Sequence, residues 1–227
     1  MGSDLLAQPA IHLGPFIIRG TVLTTWAIML ALFIISWLGT RRLRVQPGTG
    51  QTVAESVVVI IEEAVRAVLP DHAPAVVPFI GTLWIFLAVA NLVGLVPGLS
   101  SPTADLSLTA ALAVLVFLSV HFYGVRVQGL KSYFRHYLRP NPILLPFHLI
   151  SEFTRTLALA VRLFGNIVSL ELAALFVLLV VGFLAPVPLL MLHIVEALVQ
   201  AYIFGMLALV YIAGAIQSQE GAPPRTR

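Results

Sequence analysis

The chain has 227 residues, 59% of them hydrophobic and only 10% charged, with a mean hydropathy of +0.99. Soluble domains carry about 25% charged residues, so the composition excludes a soluble globular protein and reads as one integral membrane domain over residues 1–227. The net charge of only +3 gives no basis for a nucleic-acid partner, and the absence of cysteine removes disulfides, thiolate metal sites and cysteine nucleophiles.

In chain order, the opening MGSDLLAQPAIHLGPF lacks the basic n-region of a signal peptide. Leu6 stands where a myristoylation motif requires Ser or Thr, so the first apolar segment is expected to be retained. Residues 17–38 are the first predicted span, long enough for a hydrocarbon core of about 30 Å. Arg41, Arg42 and Arg44 follow, then the breakers Pro47, Gly48 and Gly50.

Residues 52–69 have a different pattern. Glu55, Glu62 and Arg66 fall within about 40° of one another on a helical wheel, and Glu62 and Arg66 form an i,i+4 pair. Val57, Val58, Ile60, Ile61, Val65 and Val68 occupy the opposite face. This predicts an amphipathic helix lying on the membrane surface, ended by Pro70.

Further spans are predicted at 76–96, which holds Asn91, and at 106–123, which holds His121. A basic connector with Arg126, Lys131, Arg135 and Arg139 leads to two long apolar runs, 147–184 and 189–216, separated by Pro186 and Pro188. Both exceed the about 20 residues of a perpendicular span and should be tilted or bent. The architecture expected is therefore all-α, with five transmembrane helices and one amphipathic surface helix. With five crossings, Arg41–Arg44, the basic connector, Arg225 and Arg227 share one side. The positive-inside rule makes that side cytoplasmic and the N-terminus external.

The 147–184 run carries Arg162 near its middle. A guanidinium there is too far from either end to snorkel easily, costs at least about 2.5–3.5 kcal/mol to insert, and has no accessible neutral form. It therefore marks a functional site that lacks an anionic partner, the alternative being a purely structural salt bridge. Arg155 lies within about 20° of it on the wheel and Asn166 one turn beyond, whereas Glu171 lies about 180° away. On the last run His193 and Gln200 share a stripe with Glu196 between them, and Gln200 is deep enough to meet Arg162.

Glu171, His193 and Glu196 thus form an outer cluster able to hold protons and water. Ser151, Glu152, Thr154 and Thr156 form an inner one. The pattern is two half-channels separated by a fixed positive charge. Plainer readings stand beside it. Glu152 and Arg155 could form an i,i+3 pair in the headgroup region, and Asn91 could bond a neighbouring helix. Asp105 could be an N-terminal cap. His121, His136 and His148 are expected to be interfacial or loop residues.

RLFGN at 162–166 with Glu171, EALVQAYIFGMLALVYI at 196–212, PTADLSLTAALA at 102–113 and ANLVGLVPG at 90–98 occur in a telling order. Together they resemble subunit a of the membrane sector of rotary F-type ATP synthases of the bacterial type, over about residues 75–216. The resemblance implies two long tilted helices lying along a c-ring, with Arg162 facing the ring carboxylate. Gln200 matches the glutamine near that arginine, and Asn166 the asparagine of the same motif. Glu171, His193 and Glu196 match outer half-channel positions, and Asp105 and Asn91 lie near the outer entrance. The partners implied are c-ring subunits, b-type peripheral-stalk subunits and, indirectly, a catalytic ATPase head, all in a bacterial inner membrane.

No cofactor is implied, and the chain, which lacks a phosphate-binding Gly-rich loop, is expected to do no chemistry itself. Two departures are visible: Ala158 stands where many members have Ser, and Gly94 where an Asp is common. The His and Glu residues of the outer cluster favour H+ as coupling ion, with Na+ the alternative. A secondary transporter with Arg162 as an anion site would be expected to show internal repeats and broken midplane helices. A haem subunit would need paired intramembrane histidines. The sequence displays neither.

Overall fold

The computed structural model describes residues 11–13, 16–18, 20–41, 48–96, 101–129, 145–181 and 186–217. Its elements are the strands β1 (Ile11–Leu13) and β2 (Phe16–Ile18), then the helices α1 (Gly20–Thr40), α2 (Thr49–Val68), α3 (Ala73–Val93), α4 (Leu106–Gln128), α5 (Leu145–Val181) and α6 (Pro186–Gln217). A 3-10 turn at Pro102–Ala104 precedes α4. All the helices except α2 are long and apolar enough to cross a membrane, so the chain is an all-α integral membrane protein apart from one short hairpin. Lys131, Arg135, His136, Arg139, Arg42, Arg44, Arg225 and Arg227, used above for orientation, lie outside the described residues.

The hairpin corrects the expected start of the first span at residue 17. Phe16–Ile18 pairs antiparallel with Ile11–Leu13, Ile11 opposite Ile18, and the helix begins at Gly20. Aromatic and β-branched residues fit a pleated ladder, and here that preference wins over extension of the helix. At its other end α4 runs on to Gln128, beyond the expected 123, because Gly124 to Gln128 holds no residue that breaks a helix before Gly129, which has a positive φ of 78°.

α2 carries the amphipathic pattern into three dimensions. Ile61 and Val65 are buried, and Gly81 of α3 leaves room for Ile61, whose Cγ2 would lie 3.4 Å from a Cβ placed there. Glu62 and Arg66 form the i,i+4 salt bridge at 2.6 Å on the exposed polar side. Val53, Val57 and Ile60 stay exposed, an apolar strip pointing out of the bundle. Gln217 at the end of α6 donates to the Val68 carbonyl at 3.1 Å, so the end of α2 and the end of α6 share one side of the molecule, called here the C-terminal side.

The core lies among α3, α4, α5 and α6, where Ile80, Leu87, Leu163, Phe204, Leu209 and Ile212 are almost wholly buried. Lipid tails are as apolar as leucine, so helix association relies on close packing and polar ties rather than on the hydrophobic effect. Ala197, Ala201, Gly205, Ala208 and Ala213 put small, buried residues along the inward face of α6. Trp84 of α3 uses that room: its ring stacks on Tyr202 with centroids 5.7 Å apart, and its Nε1–H donates to the Tyr202 carbonyl at 3.2 Å. A Cβ on Gly205 would collide with the Trp84 indole.

Two contacts set the pairing of α5 with α6. The Arg155 guanidinium lies 5.4 Å from the Tyr211 ring centroid, and Asn166 bonds Gln200 at 2.7 Å. Eleven residues separate the contacts on each helix, in opposite directions, so one antiparallel register holds from end to middle.

Gly205→Ala is expected to lower the melting temperature of the detergent-solubilised protein, at about the 1–3 kcal/mol typical of overpacking. Adding Trp84→Leu should recover part of that loss by removing the colliding ring. An unchanged melting temperature in the single variant would show that Trp84 is not seated against α6.

Candidate functional site

Arg162 lies twelve residues inside one end of the apolar stretch Ile150–Val177 and fifteen inside the other, about 18 and 22 Å of helix. Its neighbour Leu163 turns into the core, and Arg162 itself is exposed. Among the described residues it has no hydrogen-bond or ion-pair partner. Its face of α5 continues through Ser151, Arg155, Ala158, Gly165 and Ser169, spaced three and four apart; all are exposed except the half-buried Gly165. A Cβ added at Gly165 would meet nothing within 4 Å. The arginine therefore stands in an outward stripe of small and polar side chains.

Gln200 does not reach that stripe. It is 1% exposed and its Oε1 accepts from Asn166 Nδ2 at 2.7 Å. The structure thus joins the two amides to each other, behind the arginine, in place of the expected Gln200–Arg162 meeting. Asn166 is one turn from Arg162, so this bond fixes the rotation of α5 that points the guanidinium outward. Gln200 Nε2 and His193 Nε2 are both buried without a partner among the described residues, and the two residues lie seven apart on one inward stripe of α6. Glu196, one turn from each, is half-buried. The side chain of Glu171 lies outside the described residues, as does that of His148.

Asn91 and Asp105 are spent on packing. Asn91 is wholly buried; its Nδ2 donates to the Ala197 carbonyl at 3.1 Å and its Oδ1 accepts from Thr103 at 2.8 Å. Ser101 bonds the Ala90 carbonyl at 3.2 Å and lies 2.6 Å from the Thr103 hydroxyl. This network folds the 101–104 turn back onto α3. Gly94 makes the fold-back feasible, because a Cβ there would stand 2.7 Å from Ser101 Cβ, which accounts for a glycine where an Asp is common. Asp105 caps α4 by accepting from Ser107 N at 2.9 Å, and its other oxygen accepts from Thr21 of α1 at 2.9 Å. The plainer readings of both residues are the ones with geometry behind them.

On the C-terminal side, Thr154 and Thr156 donate their hydroxyls to the Ile150 and Glu152 carbonyls of their own helix at 2.8 and 3.0 Å, and Ser151 is exposed. Arg155 lies over Tyr211, and Glu152 reaches across to α4, where His121 Nε2 is 3.6 Å from Glu152 Oε2. His121 is thus no mere interfacial residue. The signal that would have found it is depth: residue 121 near the end of one span and residue 152 near the start of the next lie on the same side.

Fold and site define a class: a multi-pass helical membrane protein that displays a permanent cation on its outer surface, with polar clusters to either side of it. A family model described as the ATP synthase A chain matches residues 22–213. The chain is 64% identical to ATP synthase subunit a 2 of Pelobacter propionicus over 213 residues, covering 94% of this chain and 93% of the relative. It is 63% identical to ATP synthase subunit a 1 of Hahella chejuensis over 222 residues, covering 97% and 94%. It is 56% identical to ATP synthase subunit a of Legionella pneumophila strain Paris, covering 97% and 96%. The chain therefore belongs to the ATP synthase A chain family, the non-catalytic membrane a subunits of F-type ATP synthases. That membership removes the transporter and haem alternatives.

The Asn166–Gln200 bond has a measurable consequence. Gln200→Leu should destabilise the solubilised protein by about 0.5–2 kcal/mol, the range of interhelical hydrogen bonds in membranes. Asn166→Leu with Gln200→Leu should cost less than the sum of the two single changes, because neither amide is then left unpaired. Strict additivity in thermal denaturation would mean the two amides do not interact.

Proposed function

We propose that this chain is the ion-translocating stator subunit of an F-type ATP synthase, carrying protons to and from a rotating c-ring through two offset half-channels. The observation that carries this reading is the exposed Arg162, permanently charged, at membrane depth and without a partner among the described residues of its own chain. A charge so placed calls for an anion on a neighbouring protein, and the small side chains around it allow another helix to come close.

In this reading a proton enters from the N-terminal side past Glu171, His193 and Glu196 and neutralises a ring carboxylate, which can then turn into lipid. The register of α5 against α6 supports the grouping: Glu171, five residues beyond Asn166, comes level with Val195, next to Glu196. The buried Gln200 Nε2 can donate to water along that path, and the buried His193 Nε2 can donate or accept according to its tautomer. After rotation the carboxylic acid reaches the C-terminal side near Ser151, Glu152 and Thr154 and loses its proton. Arg162 attracts the resulting carboxylate and, having no accessible neutral form, cannot relay protons between the two channels. The stator role brings in b-type stalk subunits and, through the ring, the catalytic head. The C-terminal side is cytoplasmic in a bacterial inner membrane.

Arg162→Ala should abolish gradient-driven ATP synthesis in reconstituted vesicles while ATP hydrolysis by the detached head survives. Arg162→Lys should fail too, since lysine is shorter, lacks the planar fork and can deprotonate when desolvated. Coupled synthesis at the parent rate by a fully assembled Arg162→Ala complex would refute the mechanism. The orientation is tested separately in this cysteine-free chain. Single cysteines at Gln219 and Lys131 should react with an impermeant thiol reagent only from the cytoplasm, and one at Ser100 only from outside. Reaction of the Lys131 and Ser100 positions from one side would overturn the topology.

A further inference from the structure

One pair joins a residue the proposed mechanism uses, Glu152, to one it leaves unused, His121. His121 of α4 and Glu152 of α5 approach to 3.6 Å with both side chains largely buried. His121 Nδ1 lies 2.9 Å from the Phe117 carbonyl oxygen. A carbonyl only accepts, so Nδ1 carries the hydrogen, and the neutral imidazole turns its Nε2 lone pair toward the Glu152 carboxylate. The Phe117 ring, 4.3 Å from the imidazole centroid, holds the ring in this pose. Leu118, Phe122, Val125 and Arg126 lie beside His121 on the same face of α4. Arg126 lies five residues, about 7.5 Å of helix, nearer the end of α4, the depth at which basic side chains meet the interface.

We infer that His121 and Glu152 form a proton-exchange station on the C-terminal side of Arg162, with His121 Nε2 taking up and giving back the proton. The inference rests on the half-channel reading above and adds to it a residue from α4. The ring's carboxylic acid loses its proton and remains as carboxylate. The proton is taken by the Glu152 carboxylate or by Nε2 and passes to water on the C-terminal side. Nδ1 stays committed to the Phe117 carbonyl, so uptake and release both run through Nε2. Only O–H and N–H bonds change, and one proton is carried per passage. Glu152 lies ten residues, about 15 Å, before Arg162 on α5 and about 80° round the helix, so the station is separated from the arginine.

The test uses the assembled ATP synthase in sealed vesicles in sodium-free buffer, with proton flux through the membrane sector as readout. His121→Ala should reduce flux at least about tenfold, a threshold set below the roughly hundredfold low end for a positioned acid–base group, and free imidazole on the C-terminal side should restore it to within about threefold of the parent. Restoration by a diffusible base is something a purely structural histidine would not show. Flux at the parent rate, or a loss that imidazole leaves untouched, overturns the inference. If His121→Ala does not assemble, Glu152→Gln, which keeps size and a hydrogen-bonding head, carries the test: a tenfold loss supports the station and parent flux refutes it. Arg162→Ala in the same assay separates the two readings. If it uncouples while His121→Ala conducts normally, only the station fails; if it remains coupled, the half-channel reading itself fails.

Discussion

A guanidinium at membrane depth must have an anion, and no described residue of this chain offers Arg162 one. Its charge persists in any realistic environment, and leaving it against hydrocarbon is costly. The bundle turns it outward, which makes sense only if the bundle is part of a larger assembly. The outward stripe of Ser151, Ala158, Gly165 and Ser169 has the same meaning, since small residues on an outer face leave space for another backbone.

The rest of the fold holds that charge at its angle. Inside a bilayer, burying leucine against leucine gains little over leucine against lipid, so helix rotations are set by polar ties and close steric fits. Asn166–Gln200 and Arg155–Tyr211 keep α5 and α6 in one register. Trp84 over Gly205 and Asn91 on the Ala197 carbonyl seat α6 against α3. Thr21 on Asp105 leans α1 on the loop before α4, and Gln217 pins the end of α6 to α2. Each tie is worth about a kilocalorie or less, but they act at several levels along the helices and leave Arg162 little freedom to turn inward.

This division also explains the roles of the polar residues. Asn91, Ser101 and Thr103 bond one another and hold a turn, with Asn91 engaged through both its amide nitrogen and its oxygen. Among the described residues His193 and Gln200 each have a buried nitrogen without a partner, which a structural residue rarely does. His121 and Glu152 put an imidazole and a carboxylate from different helices within ion-pair range, near the opposite face.

The sequence by itself determined that this is a membrane protein, where its apolar segments lie, that residues 52–69 read as an amphipathic helix with a Glu62–Arg66 pair, and that Arg162 is its most informative residue. Those features depend on composition, on a period of 3.6 and on distance along one helix, all of which are local. Angles on a single helix also put Arg162 and Glu171 on different sides of it, but they could not say which neighbour each face would meet. Gln200 was expected at the arginine and instead holds Asn166, Asp105 is a cap tied to Thr21, and His121 meets Glu152 across 31 residues of sequence. The strand at Phe16–Ile18 likewise depends on a partner strand that no hydropathy window contains. Only the tertiary structure decided these, because in a bilayer the pairing and rotation of helices follow from small-residue fits and a few hydrogen bonds, which leave no periodic trace in the chain.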